Sequence, residues 1–458
     1  MQNPESDQAI QPAPGKRHWT PTPRFYGSLL LIAVLAFATA WIKSFFDVAI
    51  APGFDAILLT LLSLIALLDY LLSRQMPPIT VKRELAGNLA VNKPAKITLH
   101  LRHTFSKPTW VQLFDAVPAS VKQADLPHSL QLLPKQKAQV EYTLRPLQRG
   151  PLQLGQCYLR VKSPLGLWNI SYQSGNGDDI KVYPDFSAIT GYTILATENH
   201  TSQIGIRKAQ RRGTGMEFQQ LREYRLGDSL RQLDWKATSR RQQLISREYQ
   251  DERDQHIVLL LDSGQRMRTQ DDELSHFDHA LNALLLVSFI ALRQGDSVSV
   301  LSFGEGHRWI PPQKGAGHIK NLLNGMYDLH ATNCTPDYIH GAEKLSALQQ
   351  KRSLVVLVTN SRDEDATELL TAVNLLKQRH LVIIANLREE VLDQLDTAPV
   401  TQLNEALDYA GVQNYLALRQ DVQRKLSQTG VFVLECTAKE LAMKLANSYW
   451  EIKSAGVL

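Results

Sequence analysis

Two uninterrupted apolar runs and two different periodicities divide this chain. No charged residue occurs from Phe25 to Ile42, and the run from Phe54 to Leu72 carries only Asp55 and Asp69, both close to its ends. About 20 helical residues reach across a ~30 Å hydrocarbon layer, so each run is long enough to span a membrane. With a short connection between them they predict a helical hairpin. From Ile79 to about Asp185 the pattern changes to alternation, as in Ile97, Leu99 and Leu101 or Val140, Tyr142 and Leu144. Breakers such as Lys107-Pro108 and Gly150-Pro151 recur at short intervals, and the combination predicts an antiparallel β-sandwich.

Beyond Gln255 the runs become wholly apolar and alternate with helical stretches. His256 to Asp262, Asp296 to Phe303, Ser353 to Thr359, His380 to Leu387 and Gly430 to Cys436 read as buried parallel strands, with a helix from Glu273 to Gln294. The expected fold is therefore α/β plus all-β: two N-terminal transmembrane helices, a β-sandwich and a doubly wound parallel sheet. Its segments would be a disordered tail at 1–24, the hairpin at 25–72, the sandwich at 79–185, a charged connection at 186–255 and the α/β domain at 256–458.

Charge sets the expected orientation of the hairpin. Lys16, Arg17 and Arg24 precede it, Arg74, Lys82 and Arg83 follow it, and only Lys43 lies between, which puts both ends on the cytoplasmic side. Ala38-Thr39-Ala40 resembles a signal-peptidase site, but the second apolar run favours an uncleaved anchor. The net charge of +5 suits a neighbour of anionic lipid and is too weak for a nucleic-acid binder. Three scattered cysteines, Cys157, Cys334 and Cys436, make neither a disulfide framework nor a zinc cluster and are expected as buried thiols in a reducing compartment.

The stretch from Arg211 to Asp254 holds opposite charges at close spacing, with Phe218, Leu221, Tyr224, Leu230, Leu233 and Trp235 threaded through it. Such a block is expected to fold and to serve as a joint, with Trp235 and Tyr224 as its large apolar surfaces. Gly227 suits a left-handed turn and Asp228 an N-cap, predicting a helix from Ser229 to Arg241 in which Arg231 and Asp234 pair at i, i+3.

Within this block Glu217, Phe218, Leu221, Arg222, Tyr224, Gly227, Asp228, Arg231, Asp234, Trp235, Lys236 and Ala237, followed by Arg240 and the Arg247-Glu248 strand, resemble the signature of the bacterial domain-of-unknown-function 58 family. Ser163-Pro164-Leu165-Gly166-Leu167-Trp168 and Val182-Tyr183-Pro184 resemble it too. The resemblance implies a protein tethered in the bacterial inner membrane, with a β-rich module and a von Willebrand A-like domain. It also implies a protein partner, a MoxR-type AAA+ ATPase.

In von Willebrand A domains that bind an ion, the loop after the first strand reads D-x-S-x-S, and later loops add a Thr and an Asp. Those oxygens suit a hard octahedral ion such as Mg²⁺. This chain has Asp262-Ser263-Gly264-Gln265-Arg266, with Thr335 or Thr332 as the loop threonine and Asn360 in place of the aspartate. Gly264 brings no ligand atom and Arg266 brings a positive charge, so no metal or other cofactor is expected. Asp262 should instead accept from loop backbone or from Arg266.

No phosphate loop, dinucleotide fingerprint or nucleophile elbow occurs in the sequence. His276 and His279 lack the metalloprotease spacing and read as a polar helix face; His100, His103 and His128 read as surface and core residues. The expected function is that of a non-enzymatic, membrane-anchored scaffold or adaptor that presents its α/β domain to protein partners. The alternative is a metal-dependent hydrolase or ion-dependent receptor built on the Asp262 loop.

Overall fold

The structure is a computed structural model that describes residues 15–46, 54–85, 87–134, 136–185, 187, 217–225, 233–250 and 255–456. It divides into two compact units, Met1–Val182 and Tyr183–Leu458.

The first unit begins with a strand, His18–Pro21, that runs directly into helix α1, Pro23–Phe46. Part of the polar segment expected to be disordered is thus ordered: His18 to Pro21 pair antiparallel with Ser171 to Trp168. Trp19 explains why, since its Nε1 donates to Ser73 Oγ at 2.9 Å and its ring lies edge-on to Tyr70 at 5.2 Å. Helix α2 is Phe54–Arg74. Both helices are long and apolar enough to cross a membrane, through Pro23–Trp41 and Ala56–Arg74, and they expose Leu30, Phe37, Trp41, Ile57, Leu64 and Leu67.

Alternation then delivers antiparallel sheets, one of five strands that includes His18–Pro21 and one of four strands. The strand Ala95–Arg102 buries Ile97, Leu99 and Leu101 and turns the intervening residues outward. Charged groups lie buried as well. Arg83, on Thr80–Leu85 in the four-stranded sheet, donates through Nε and Nη2 to Asp115, on Thr109–Asp115 in the five-stranded one, at 3.0 and 2.5 Å. The Tyr142 hydroxyl and Cys157 Sγ also donate to Asp115, and Arg83 reaches Asp178. Burial, helped by Asp115, pushes the Cys157 thiol up to about 12, which leaves it protonated and a poor nucleophile at neutral pH.

In the second unit a six-stranded sheet runs in the order Arg308–Gln313, Ser297–Phe303, His256–Asp262, Leu354–Thr359, Leu381–Arg388, Phe432–Thr437. All neighbours are parallel except the antiparallel edge strand Arg308–Gln313, which the sequence pattern does not announce. Ile257, Leu259 and Leu261 join one core with the helices His276–Arg293 and Leu441–Ser454, while Val258 and Leu260 join another with Tyr338–Leu348 and Ala366–Lys377. Helices therefore cover both faces, and strands buried on both faces read as near-continuous apolar runs, with Ser297, Ser299 and Ser302 the small polar residues among them. Asp296 stands at the entrance to Ser297–Phe303, where Tyr449 Oη and Lys453 Nζ donate to it at 2.5 and 2.6 Å and tie the last helix to the sheet. Cys157 and Cys436 are buried, but Cys334 is exposed, against expectation, because it lies on a loop outside both cores.

The Arg83–Asp115 pair generates a stability prediction. Removing Arg83 leaves the fully buried Asp115 carboxylate without its cationic partner, so Arg83→Met should cost about 3–5 kcal/mol. Arg83→Met combined with Asp115→Leu should cost clearly less than the sum of the single changes. Denaturant midpoints of the full chain and its variants measure this, and strict additivity would contradict it.

Candidate functional site

The sequence directs attention to two places, the signature block and the carboxyl ends of the parallel strands. In the block, Glu217–Glu223 and Ile245–Gln250 pair as an antiparallel hairpin. Glu217 lies on the first of these strands with Arg222, and Tyr224 follows, its backbone N–H donating to Leu244 O at 2.9 Å. Gly227, Asp228 and Arg231 lie outside the described residues, and so does the expected Arg231–Asp234 pair.

Asp234 takes the capping role expected of Asp228. Its carboxylate accepts from Ala237 N at 2.9 Å at the start of the helix Trp235–Arg241 and from Arg247 Nε at 2.9 Å. These bonds, the backbone one foremost, hold the carboxyl below its usual range. Trp235 contradicts its expected burial: it is 68% exposed, as the first residue of a seven-residue helix that buries none of its own side chains. Leu233 and Ile245 are buried here instead, and Arg240 points to solvent. Trp235→Ala should therefore cost little stability, because an exposed side chain leaves no cavity.

At the strand ends, the first parallel strand delivers Asp262 fully buried, and both its oxygens are engaged. Gly264 N donates to Oδ1 at 2.7 Å and Thr359 Oγ1 to Oδ2 at 2.7 Å, while Tyr338 Oη lies 2.8 Å from Thr359 Oγ1. The loop backbone thus supplies one donor. Arg266 turns elsewhere, to Asp365 and Glu364.

Gly264 fills a tight place. A Cβ there would stand 2.7 Å from Pro336 Cδ, 3.0 Å from Asp262 Oδ1 and 3.1 Å from Cys334 O. A serine hydroxyl cannot be added at this position without moving the loop. Thr332 Oγ1 donates to Ser263 O at 3.0 Å, and Thr335 lies exposed on the same loop.

Asn360 is also buried. Its Nδ2 lies 3.1 Å from Glu389 Oε1 and 3.3 Å from His276 Nδ1, and its Oδ1 accepts from Arg419 Nη1 at 3.3 Å. His276 is therefore no surface histidine: it is fully buried, with Nε2 2.8 Å from Asp271 Oδ2. Arg419 is 3% exposed and donates to Leu387 O at 2.8 Å and to Ser361 O at 3.2 Å. Sequence reasoning missed Arg419, Asp271 and Glu389. Arg419 sits in a helix rich in polar residues and Glu389 in a connecting loop, so spacing gives neither away.

Among the described residues no group of three or more His, Cys, Asp or Glu side chains is placed to hold a metal ion. The geometry offers a closed polar network that holds the Asp262 carboxylate and the Asn360 amide at the carboxyl ends of neighbouring parallel strands. Hydroxyl and backbone donors already occupy Asp262, and a guanidinium already occupies Asn360.

Burial raises the Asp262 carboxyl from 3.8 to about 6, against the donors that favour its charged form. Between those values the folded protein keeps a proton that the unfolded chain has released. This contribution to stability is complete below the unfolded value and is lost as pH rises through about 6. Asp262→Asn keeps an acceptor for Gly264 N and abolishes the titration. Its stability relative to wild type should rise between pH 4 and pH 7 by on the order of 3 kcal/mol at most and then level off. Denaturation midpoints across that range test it, and a difference independent of pH would contradict it.

Comparison with known proteins finds relatives across this region. The uncharacterized protein YeaD of Bacillus subtilis (strain 168) is 23% identical over 269 residues, which cover 59% of this chain and 64% of that protein, less than two thirds of its length. Among solved structures, proximal thread matrix protein 1 from the mussel byssus matches 45% of this chain and 48% of its own at 16% identity and a TM-score of 0.29. An aerotolerance-related membrane protein from Bacteroides fragilis matches 43% of this chain and 98% of its own at 14% identity and a TM-score of 0.27. Scores so low fix neither fold nor function. Residues 220–429, from the signature hairpin to the end of the helix that carries Arg419, match the family described as protein of unknown function DUF58.

Proposed function

We propose that the chain is a membrane-anchored docking protein. On this reading α1 and α2 form a hairpin with both ends cytoplasmic, and the second unit is a von Willebrand A-like domain that holds protein partners rather than an ion or a substrate. The observation that carries the reading is an exposed apolar ridge beside the polar network. Val391 and Leu395 on the helix Glu390–Thr397, Val400 after it, and Leu403 and Leu407 on the helix Leu403–Gln428 are 50, 38, 49, 77 and 63% exposed. Contiguous exposed apolar side chains mark interaction surfaces in soluble domains.

The helix that carries Val391 and Leu395 starts beside the Asp262–Asn360 network, and the helix that carries Leu403 and Leu407 reaches it several turns later. Glu389, just before the first helix, bonds Asn360, and Arg419 comes from the second. An α/β sheet presents its site at the carboxyl ends of its strands, and these helices rim that end. The exposed Trp235 and Arg240 of the signature helix add the side-chain types that binding hot spots favour. The family resemblance points to a MoxR-type AAA+ ATPase as the partner. Against an ion-dependent hydrolase or receptor stand the engaged oxygens of Asp262, the space closed at Gly264 and the amide of Asn360.

Two measurements test the proposal. Full-length protein carrying Leu403→Asp and Leu407→Asp should remain in the membrane fraction but lose, by about tenfold or more, an AAA+ ATPase captured with the wild type, since a buried charge at a hot spot costs several kcal/mol. Equal capture by both would remove the ridge from the interface. A reporter fused after Arg83 should read cytoplasmic; an exported reading would overturn the hairpin topology.

A further inference from the structure

We infer that a cavity at the foot of the apolar hairpin is a binding site for the phosphate headgroup of an anionic phospholipid, an inference that rests on the membrane-anchored reading above. The cavity holds about 410 Å³, within the size range of small-molecule pockets. Its walls come from the start of α1 (Arg24), the end of α2 (Leu72) with Gln75 and Met76 after it, and the loops around Lys107 and Leu165. The apolar spans Pro23–Trp41 and Ala56–Arg74 end at this level. With the hairpin in a bilayer, the cavity therefore opens among the headgroups.

Charge selects the ligand. Arg24, Lys107 and Lys162 line the cavity, no carboxylate does, and none of the three has an ion-pair partner among the described residues. Three cations converging without a counter-ion attract a phosphate and disfavour the added cation of a choline headgroup.

A carboxylate beside the lining loop is already engaged. Asp69 is fully buried and accepts from Ser163 Oγ at 2.5 Å, Leu165 N at 2.9 Å and Leu167 N at 3.0 Å. Thr22 Oγ1 donates to Gly166 O at 2.7 Å on the other side of the same loop. Ser163-Pro164-Leu165-Gly166-Leu167-Trp168 is thereby held in shape before any ligand arrives, which lowers the ordering cost of binding. Trp110 and Leu165, 51 and 48% exposed, border the opening, and a tryptophan at this depth suits the interface.

The test uses the full chain in detergent, titrated with phosphatidylglycerol or with phosphatidylcholine of the same acyl chains, and bound lipid counted by native mass spectrometry. The wild type should retain phosphatidylglycerol in preference. Lys107→Gln with Lys162→Gln should reduce that preference by on the order of tenfold, whereas Lys96→Gln with Lys122→Gln, outside the cavity, should leave it unchanged. No preference in the wild type, or the same preference in the cavity variant, would overturn the site. Displacement of the lipid by millimolar inorganic phosphate would show that a free anion rather than a lipid is bound, and would overturn the lipid assignment. Release of the wild-type chain from membranes by alkaline carbonate would overturn the anchored reading and this site with it; retention in the membrane without lipid preference would overturn the site alone.

Discussion

A carboxylate taken out of water must be enclosed by donors or it unfolds what surrounds it, and that constraint organises both units of this protein. Asp69, Asp115, Asp262 and Asp296 are each fully buried. Each joins parts of the chain far apart in sequence: an apolar helix to the Ser163–Trp168 loop, one antiparallel sheet to the other, the end of one parallel strand to its neighbour, and the start of another strand to the last helix. Apolar burial supplies most of the driving force in such cores but is nearly indifferent to small displacements. Multiply coordinated carboxylates are not indifferent, because a shift of an ångström leaves a charge without a partner.

Much of the architecture is legible in the sequence because it depends on periodicity. The two apolar runs, the alternating segment and the largely apolar strands each announce their elements directly, and the signature around Trp235 lies within the stretch that matches the family model. What periodicity does not reach are contacts between remote positions. His276 has the neighbours of a surface histidine in sequence, but in space it lies between Asp271 and Asn360. Trp235 looks like a core anchor by composition, yet the helix it opens is too short to carry it inward. Arg308–Gln313, with consecutive prolines and polar ends, gives no strand signal; it becomes one because the Ser297–Phe303 edge supplies partners.

The strand-end network is partly legible for a related reason. The sequence shows which ligand atoms an ion loop would lack at Gly264, Arg266 and Asn360, since absence of an oxygen is a property of the residue itself. It does not show that Pro336 and Cys334 lie against Gly264, or that Arg419 bonds the Asn360 amide. Packing and hydrogen bonding at these positions come from residues that spacing alone does not connect.

The short strand His18–Pro21 has a consequence for the order in which the chain is assembled. Its partner, Trp168–Ser171, lies roughly 150 residues later, and both apolar helices intervene. At ~5–20 residues per second, that partner leaves the ribosome on the order of ten seconds after the strand does. Helices α1 and α2 are complete within that interval, because their bonds are local. The strand His18–Pro21 is therefore among the last elements to find its place, and closing the five-stranded sheet joins it to residues near the far end of the first unit only after synthesis has passed them.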